Sequence, residues 1–587
     1  MTFGAHPLDG ETTGHYLLIM RTRSVALAIA LLALACGDSS GPGGDVAFIG
    51  ISGLPPSGRF HVGEWLLLSA TTYDRDHHLI TGVPITWVSS DTTIANVAPW
   101  GNGVQVVGRA PGPVTITAAS QGQRAAATLT VLIVPVASVR IMPDAAASYV
   151  GMKTQLTAMA LDSIGRDLAD RRVTWATSDP AKATVDTTGL VTAVAAGSAT
   201  ITATSEGKSA AANLTILARP SADWTAVTEE WSTYQGNATH TGYVPATLDP
   251  AIFTRAWETD VVPGVALNPV TVGGGKVFAS TNAYFGTQQL HVLDAVSGGK
   301  LWSRSFGGIH SVDPPAYADG SVYVATGGHG DSYIWAFNAA TGTERFHTAY
   351  GNQWSRWYAP VVIGQTLYMA GGYYGGMYAF NTVDGAERWF LGLNQYDEFT
   401  PAVQDTLVYA YTGSYDPQVT VASATNGAVA YEIPDSGFGW NGWSMGLAPV
   451  LGSLNNLLVA QTGSGRLLSF DLAGRRIGWT VTGAFAGQVT LAEGVIYVRS
   501  NQGLQARRES DGSLLWSWTP PQGYVQGPMI ATRNLLFVST ATTTYALDIS
   551  TRLPAWSYPA GGHLALSKDG LLLVAQGNGI LTAIDVR

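Results

Sequence analysis

The chain is poor in cysteine, in charge and in long apolar runs, and each shortage excludes something. Cys36 is the only cysteine among 587 residues, so no intramolecular disulfide can staple the fold. Charged residues make up 12% and the formal net charge is −10. With no stripe of lysine and arginine, nucleic acid is not expected as a partner. No apolar run is long enough to cross a bilayer as a mature helix. There is no phosphate-binding glycine loop, no Cys/His spacing for a metal and no G-x-S-x-G elbow. Long amphipathic stretches are missing too, and short β segments separated by glycine-rich turns take their place, which predicts an all-β chain. Its length exceeds what one hydrophobic core can organise, so several domains are expected.

What is present is repetition. His291 to Trp302, HVLDAVSGGKLW, returns as WAFNAATGTERF (335–346), YAFNTVDGAERW (378–389), TVASATNGAVAY (420–431), LSFDLAGRRIGW (468–479), QARRESDGSLLW (505–516) and YALDISTRLPAW (545–556), and LTAIDVR (581–587) begins another copy. The closing aromatics Trp302, Phe346, Trp389, Tyr431, Trp479, Trp516 and Trp556 fall 37 to 48 residues apart. That spacing holds four short strands, the content of a β-propeller blade. Asp294, Asn338, Asn381, Asp471 and Asp548 end a strand where a short polar side chain can cap a tight turn. A glycine four residues on (Gly298, Gly342, Gly385, Gly427, Gly512) supplies positive φ. The 468–479 copy reads as one residue short before its glycine. The aromatic is expected on the outer strand, packed on the next blade. The eighth copy lacks an outer strand, and Phe253–Trp257 stands spare before the first blade. Pairing it with Leu581–Val586 would close an eight-bladed ring without an open edge.

At the start, Arg21 and Arg23 precede an apolar run, Val25 to Ala35, that reads as a signal peptide over 1–36. Residues 1–19 fit no signal pattern, and Met20 is the expected true start. Ala33-Leu34-Ala35-Cys36 resembles a bacterial lipobox, which implies lipidation at Cys36. Gly37 after it resembles an outer-membrane sorting signal. Residues 37–45 read as a flexible tether. Two modules follow, 46–134 and 135–217: ITWVSSD (85–91) matches VTWATSD (173–179), and VTITA (114–118) matches ATITA (199–203). Their size and alternation predict immunoglobulin-like sandwiches with Trp87 and Trp175 in the cores. The second closely resembles the bacterial Ig-like group 2 (BIG2) family, and the first is a looser copy. Both read as spacers.

After a linker, 218–230, the stretch Trp231-Ser-Thr-Tyr234-Gln-Gly-Asn237-Ala-Thr-His240-Thr-Gly242 resembles the opening motif of propellers in the pyrroloquinoline quinone (PQQ)-like family. With the repeats, the resemblance covers 231–587. That family includes quinoprotein alcohol dehydrogenases and also the assembly lipoprotein BamB, an eight-bladed propeller without a cofactor. The dehydrogenases hold PQQ with Ca²⁺ bound by Glu, Asn and Asp, commonly under a disulfide of adjacent cysteines. Here the lone Cys36 excludes that disulfide. Asp397-Glu398 is the nearest acidic pair, and a hard cation wants several converging oxygens. No cofactor and no metal are therefore expected.

The aromatic residues outside the repeats concentrate in particular connections. With blade strands A to D running from axis to rim, D–A and B–C connections lie on one face. Trp354, Trp357 and Tyr358 fall in one D–A connection, Tyr396 in another, and Phe438, Trp440 and Trp443 in a third. Tyr373 and Tyr374 fall in a B–C connection, as does the stretch Gly327–Asp331. Rigid amphipathic rings in glycine-flanked loops suit recognition. The resulting expectation is two Ig-like β-sandwiches followed by an eight-bladed β-propeller, in a lipid-anchored envelope protein of the outer membrane, periplasmic or surface-exposed. It would bind a protein or a glycan through that face without catalysis. The alternatives are a PQQ- and Ca²⁺-dependent alcohol or sugar dehydrogenase, and a surface adhesin acting through its Ig-like modules.

Overall fold

The computed structural model describes residues 44–587 apart from 287, 353–358, 372–374, 395–398, 413–415, 438–447 and 462–463. Among the described residues no helix is long and apolar enough to cross a membrane.

The first compact unit is a sandwich. One sheet orders Phe48–Ser52, Trp65–Tyr73, Gly103–Gly108 and Ala95–Trp100, and the other orders Arg59–His61, Gln123–Leu132, Gly112–Ser120 and Thr86–Ser89. Alternate residues of Gly112–Ser120 are buried, as a strand with one face on a core requires. That core is Phe60, Leu68, Val104, Val106, Val114, Ile116, Leu129 and Val131, with Trp87 packed against its side.

The second unit begins with another sandwich. Ala145–Tyr149, Lys208–Leu217, Gly197–Ser205 and Thr174–Thr177 form one sheet. Its first strand runs parallel to the last, Ala145 beside Asn213, as Arg59 runs beside Thr130 in the first sandwich. The sequence repeat is thus a repeat of topology. Trp175 packs against this second core. This second sandwich is seated on the propeller. Tyr149 and Ala147 pack with Ala555, Met152, Leu217 and Leu553. The Tyr149 hydroxyl donates to Asp548 Oδ2 at 2.6 Å, and Arg219 binds Asp249 at 2.6 Å.

The propeller comprises eight sheets, each with strands A to D in radial order. Blade 1 runs Thr271–Gly273, Lys276–Ser280, Gln288–Asp294 and Lys300–Gly307. Strands B and C are buried on both faces, as in Asn456–Gln461 of blade 5, so they read as unbroken apolar runs. The outer strand alternates, as in Arg476–Thr482. Blade 8 is completed as expected. Thr254–Asp260 pairs antiparallel with Ile580–Asp585, Trp257 facing Ala583.

The repeated aromatic and glycine form a latch between neighbouring blades. Trp257 is 8% exposed, and its indole N–H donates to Ala295 O at 2.9 Å. A Cβ on Gly298 would lie 2.5 Å from that indole, so the glycine is required by contact as well as by its φ of 69°. Trp302, Phe346, Trp389 and Trp479 lie in the same way against Gly342, Gly385, Gly427 and Gly512. The apparent shortening of the 468–479 copy is corrected here. The residue four after Asp471 is Arg475, which itself takes the left-handed φ of 49°, and its guanidinium covers Tyr431 at 4.5 Å. The latch keeps its length and exchanges a glycine–aromatic contact for a cation–π contact.

Candidate functional site

The opening motif, Trp231–Gly242, occupies the propeller axis. Its carbonyls accept from strand A of one blade after another: Trp231 from Val272 N, Ser232 from Tyr317 N, Ala238 from Val403 N, Thr239 from Leu451 N, Thr241 from Leu491 N and Gly242 from Ala531 N, at 2.8–3.1 Å. The Thr233 hydroxyl donates to Pro360 O in blade 3. Blades 1 to 7 are thereby tied to one segment. His240 is wholly buried, with Nδ1 2.7 Å from Tyr234 O and Nε2 2.9 Å from Pro401 O. Burial pushes its pKa down, and the two carbonyls push back. These residues are architectural.

The D–A/B–C face begins with the hairpin loop of blade 1. Gln288 is fully buried. Its Nε2 donates to Ala283 O at 2.8 Å and to His310 O at 3.2 Å, and its Oε1 accepts from the Thr281 hydroxyl. The clamp projects two rings into solvent, Tyr284 at 52% and Phe285 at 66% exposure. Both pack on His310, with centroids 5.2 and 5.0 Å away. Phe285 holds φ of 47°, a left-handed conformation that bulky residues seldom adopt. Its N–H donates to His310 O at 3.2 Å. Strain of this kind persists only where the surroundings enforce it, and such sites are often functional. Sequence reasoning passed over this pair. Its signal was the glycine-flanked aromatic pair that singled out Tyr373 and Tyr374.

In blade 2 the D–A connection carries Asp313, wholly buried, whose N–H donates to Ala325 O. Tyr350 lies near enough for that carboxylate to reinforce burial in raising its hydroxyl pKa. Asn352 Nδ2 donates to the Tyr350 hydroxyl at 3.0 Å. In blades 4 and 5 the face is rooted in an ion pair, Arg466 Nη2 to Asp435 Oδ2 at 2.6 Å, with side chains 10% and 0% exposed. Tyr524, 52% exposed, stands in the D–A connection from blade 6 to blade 7.

The aromatic residues expected to form the binding face, Trp354, Trp357, Tyr358, Tyr373, Tyr374, Tyr396, Phe438, Trp440 and Trp443, all lie outside the described residues, as do Asp397, Glu398 and Cys36. The flanking strands are those the expectation needs. Residues 350–360 join strand D of blade 2 to strand A of blade 3, and 371–376 join strands B and C of blade 3.

A quinone with its Ca²⁺ would need several oxygens converging at the mouth of the channel. Among the described residues, the one group of three His, Cys, Asp or Glu with ligand atoms close together is Asp74, Asp76 and His78 in the first sandwich.

Comparison with known proteins gives two family matches. Residues 135–216 match the bacterial Ig-like domain (group 2). Three overlapping matches, 240–356, 351–558 and 463–587, are to the family described as outer membrane protein assembly factor BamB; together they cover more than half of the chain. Ice-binding protein 1 of Shewanella frigidimarina is 36% identical over 134 residues, 22% of this chain and 15% of that protein, so the chain spans a small part of that relative. Among solved structures, BamB from Moraxella catarrhalis is 14% identical with a TM-score of 0.45, covering 57% of this chain and all of its own. A europium-containing methanol dehydrogenase is 12% identical with a TM-score of 0.49, covering 61% of this chain and 98% of its own.

Proposed function

We propose a non-catalytic binding role for this chain, proceeding from the fact that it belongs, through residues 240–587, to the family described as outer membrane protein assembly factor BamB. In this reading the chain is a lipid-anchored scaffold of the bacterial envelope, held at Cys36, and it binds an envelope protein or glycan through the D–A/B–C face of the propeller. The observation that carries it is the Tyr284–Phe285 pair: two exposed rings, one strained, on a loop fastened by a buried glutamine. Rings that served packing alone would be covered. Rings held rigid in water are what a hot spot requires, because little ordering entropy is then lost on binding.

The test pairs Tyr284→Ser/Phe285→Ser with wild type. Both would be crosslinked in envelope preparations, probed against envelope glycans and melted. We expect the propeller's Tm to stay within the range of surface substitutions, about 0.5 kcal/mol per site. Binding of a partner that wild type captures should fall at least fivefold, about 1 kcal/mol. Unchanged binding would overturn the reading.

A further inference from the structure

The first sandwich turns an aromatic sheet face to solvent. In its first sheet Trp65 stands opposite Val107 and Leu67 opposite Gln105, while Phe48 stands opposite Tyr73 and Trp100 opposite Gly103. Leu66, Leu68, Val104 and Val106, which alternate with these, pack into the core, so the paired set points outward. Phe48, Trp65, Leu67 and Trp100 are 47%, 57%, 43% and 59% exposed. Trp100 has only a glycine across the ladder, which offers no side chain to cover it. None of the four strands, FIGIS, WLLLSATTY, ANVAPW and GVQVVG, contains a charged residue. Charge appears in the turns at the ends of the face, as at Glu64 and Asp74.

The repeat within the chain supplies the contrast. Trp87 and Trp175 are 88 residues apart, and at the same offset Lys153 and Gln155 stand where Trp65 and Leu67 do. Lys153 pairs with Thr192 and Gln155 with Leu190, so the second sandwich folds with ordinary polar residues at these positions. The fold therefore does not require the rings. The other sheet of the first sandwich carries Arg59 and Arg124 in its strands. An uncharged patch of exposed rings confined to one face marks a protein or membrane contact.

The way the chain enters this sheet favours a membrane. Ala47 N–H donates to Tyr73 O at 2.8 Å, so the polypeptide arrives at the Phe48 corner of the face. Gly44, the first described residue, lies eight residues after Cys36, and eight extended residues reach at most about 29 Å. An acyl anchor at Cys36 would hold this corner beside the bilayer. Tryptophan, phenylalanine and leucine suit the boundary between headgroups and acyl chains, where an apolar body meets lipid and an indole N–H meets water. A sugar would ask instead for hydrogen-bonding groups beside the rings. Here the hydroxyls of Ser52 and Ser69 bond each other at 2.8 Å, Thr71 donates to the Tyr73 hydroxyl at 3.2 Å, and the strands offer no carboxylate or guanidinium.

We propose that the face carrying Phe48, Trp65, Leu67 and Trp100 is a membrane-seating surface that lays the first sandwich on the phospholipid bilayer holding its anchor. The choice of occupant rests on the anchoring reading above; the affinity of the face for lipid can be measured without the anchor.

Full-length Cys36→Ser, which carries no acyl chain, is floated with vesicles of phosphatidylethanolamine and phosphatidylglycerol. It should partition onto them. In that background Trp65→Ser/Trp100→Ser should lower the partition coefficient by about tenfold or more, with melting unchanged. Leu67→Gln, which copies the second sandwich and so leaves the fold intact, should lower it by about threefold. Val88→Ser/Ile133→Ser removes two comparably exposed apolar side chains elsewhere on the sandwich and should leave it unchanged. Failure of Cys36→Ser to float would overturn the proposal, as would an equal loss in the Val88→Ser/Ile133→Ser control. Dimerisation abolished by Trp65→Ser/Trp100→Ser would overturn it in favour of a second copy of the chain. Retention on peptidoglycan sacculi in place of flotation, lost in the same variant, would overturn it in favour of a glycan. An unacylated wild-type mass would defeat the anchoring reading by itself, and flotation of Cys36→Ser would still decide the face.

Discussion

The latch between blades makes a quantitative prediction that turns on one contact. At the closure of the ring, the Trp257 indole lies flat on Gly298, where an added Cβ would come within 2.5 Å of the ring and 2.9 Å of Thr259 Oγ1. Trp257→Ala removes a buried ring and leaves Ala295 O without its donor, a loss of about 3–5 kcal/mol. Gly298→Ala places a Cβ at φ of 69°, costing about 1–2 kcal/mol for the backbone alone, and overpacking against the indole adds about 1–3 kcal/mol. If the glycine is there to admit the ring, the second cost exists only while the ring does. The double variant should then be less destabilised than the sum of the singles by about 1–3 kcal/mol, the range of directly contacting residues. Calorimetry on the full chain, following the propeller's transition, measures all four corners of the cycle. Additive effects would refute the latch and leave Gly298 as a turn residue only.

Two further outcomes are expected. His563 is partly buried, and that burial lowers its pKa from 6.5 to about 4. The folded protein therefore leaves it neutral where the unfolded chain takes up a proton. Stability should be full above pH 6.5, decline as pH falls towards 4 and level off below, by about 3 kcal/mol for this group; His291 shifts in the same direction. Urea titrations of wild type and His563→Gln between pH 7.5 and 4.5 would show it, and equal slopes for both would contradict it. Cys36→Ser should shift the protein from the detergent phase to the aqueous phase, because each buried acyl CH₂ contributes about 0.8 kcal/mol of membrane affinity. A wild-type mass without added lipid would refute anchoring at this residue.

The parts of the fold legible in the sequence are those written as repeats at fixed offsets. Asp294, Gly298 and Trp302 recur because every blade meets its neighbour through the same turn, and the missing eighth strand showed where Trp257 belonged. The 468–479 turn read as one residue short because Gly474 stands beside Arg475, and only the φ of 49° shows that Arg475 takes the left-handed position. The seat of the second sandwich was invisible for a different reason. Tyr149 and Asp548 are 399 residues apart, and nothing local marks a tyrosine that binds a turn aspartate of blade 7. The axial path of Trp231–Gly242 was equally hidden, since a motif that meets seven blades in turn has no period of its own. For the face, the sequence offered aromatic composition, which cannot separate an exposed ring such as Phe285 from a buried one such as Tyr350.

Chemistry on this propeller is narrowed by what its other surfaces already do. The C–D turns of most blades are occupied by the latches. The A–B side of the axis is crossed by the linker and the segment after the opening motif, fastened by Arg533 to Asp223 at 3.0 Å, Tyr243 to Glu493 at 2.7 Å and Lys568 to Glu230 at 2.9 Å. The outer strand of blade 7 is covered where Tyr149 and Ala147 pack against Leu553 and Ala555. The D–A/B–C face is different in kind. Its connections are not uniform: strand D of blade 5 ends at Thr482 and the next strand A starts at Phe485, whereas strand D of blade 4 ends at Pro434 and the next strand A starts at Val450. Uniform joints maintain a ring. Loops of unequal length on a rigid scaffold are where binding specificity is built, and here the longest of these D–A connections, between blades 4 and 5, springs from the most heavily bonded buried ion pair among the described residues.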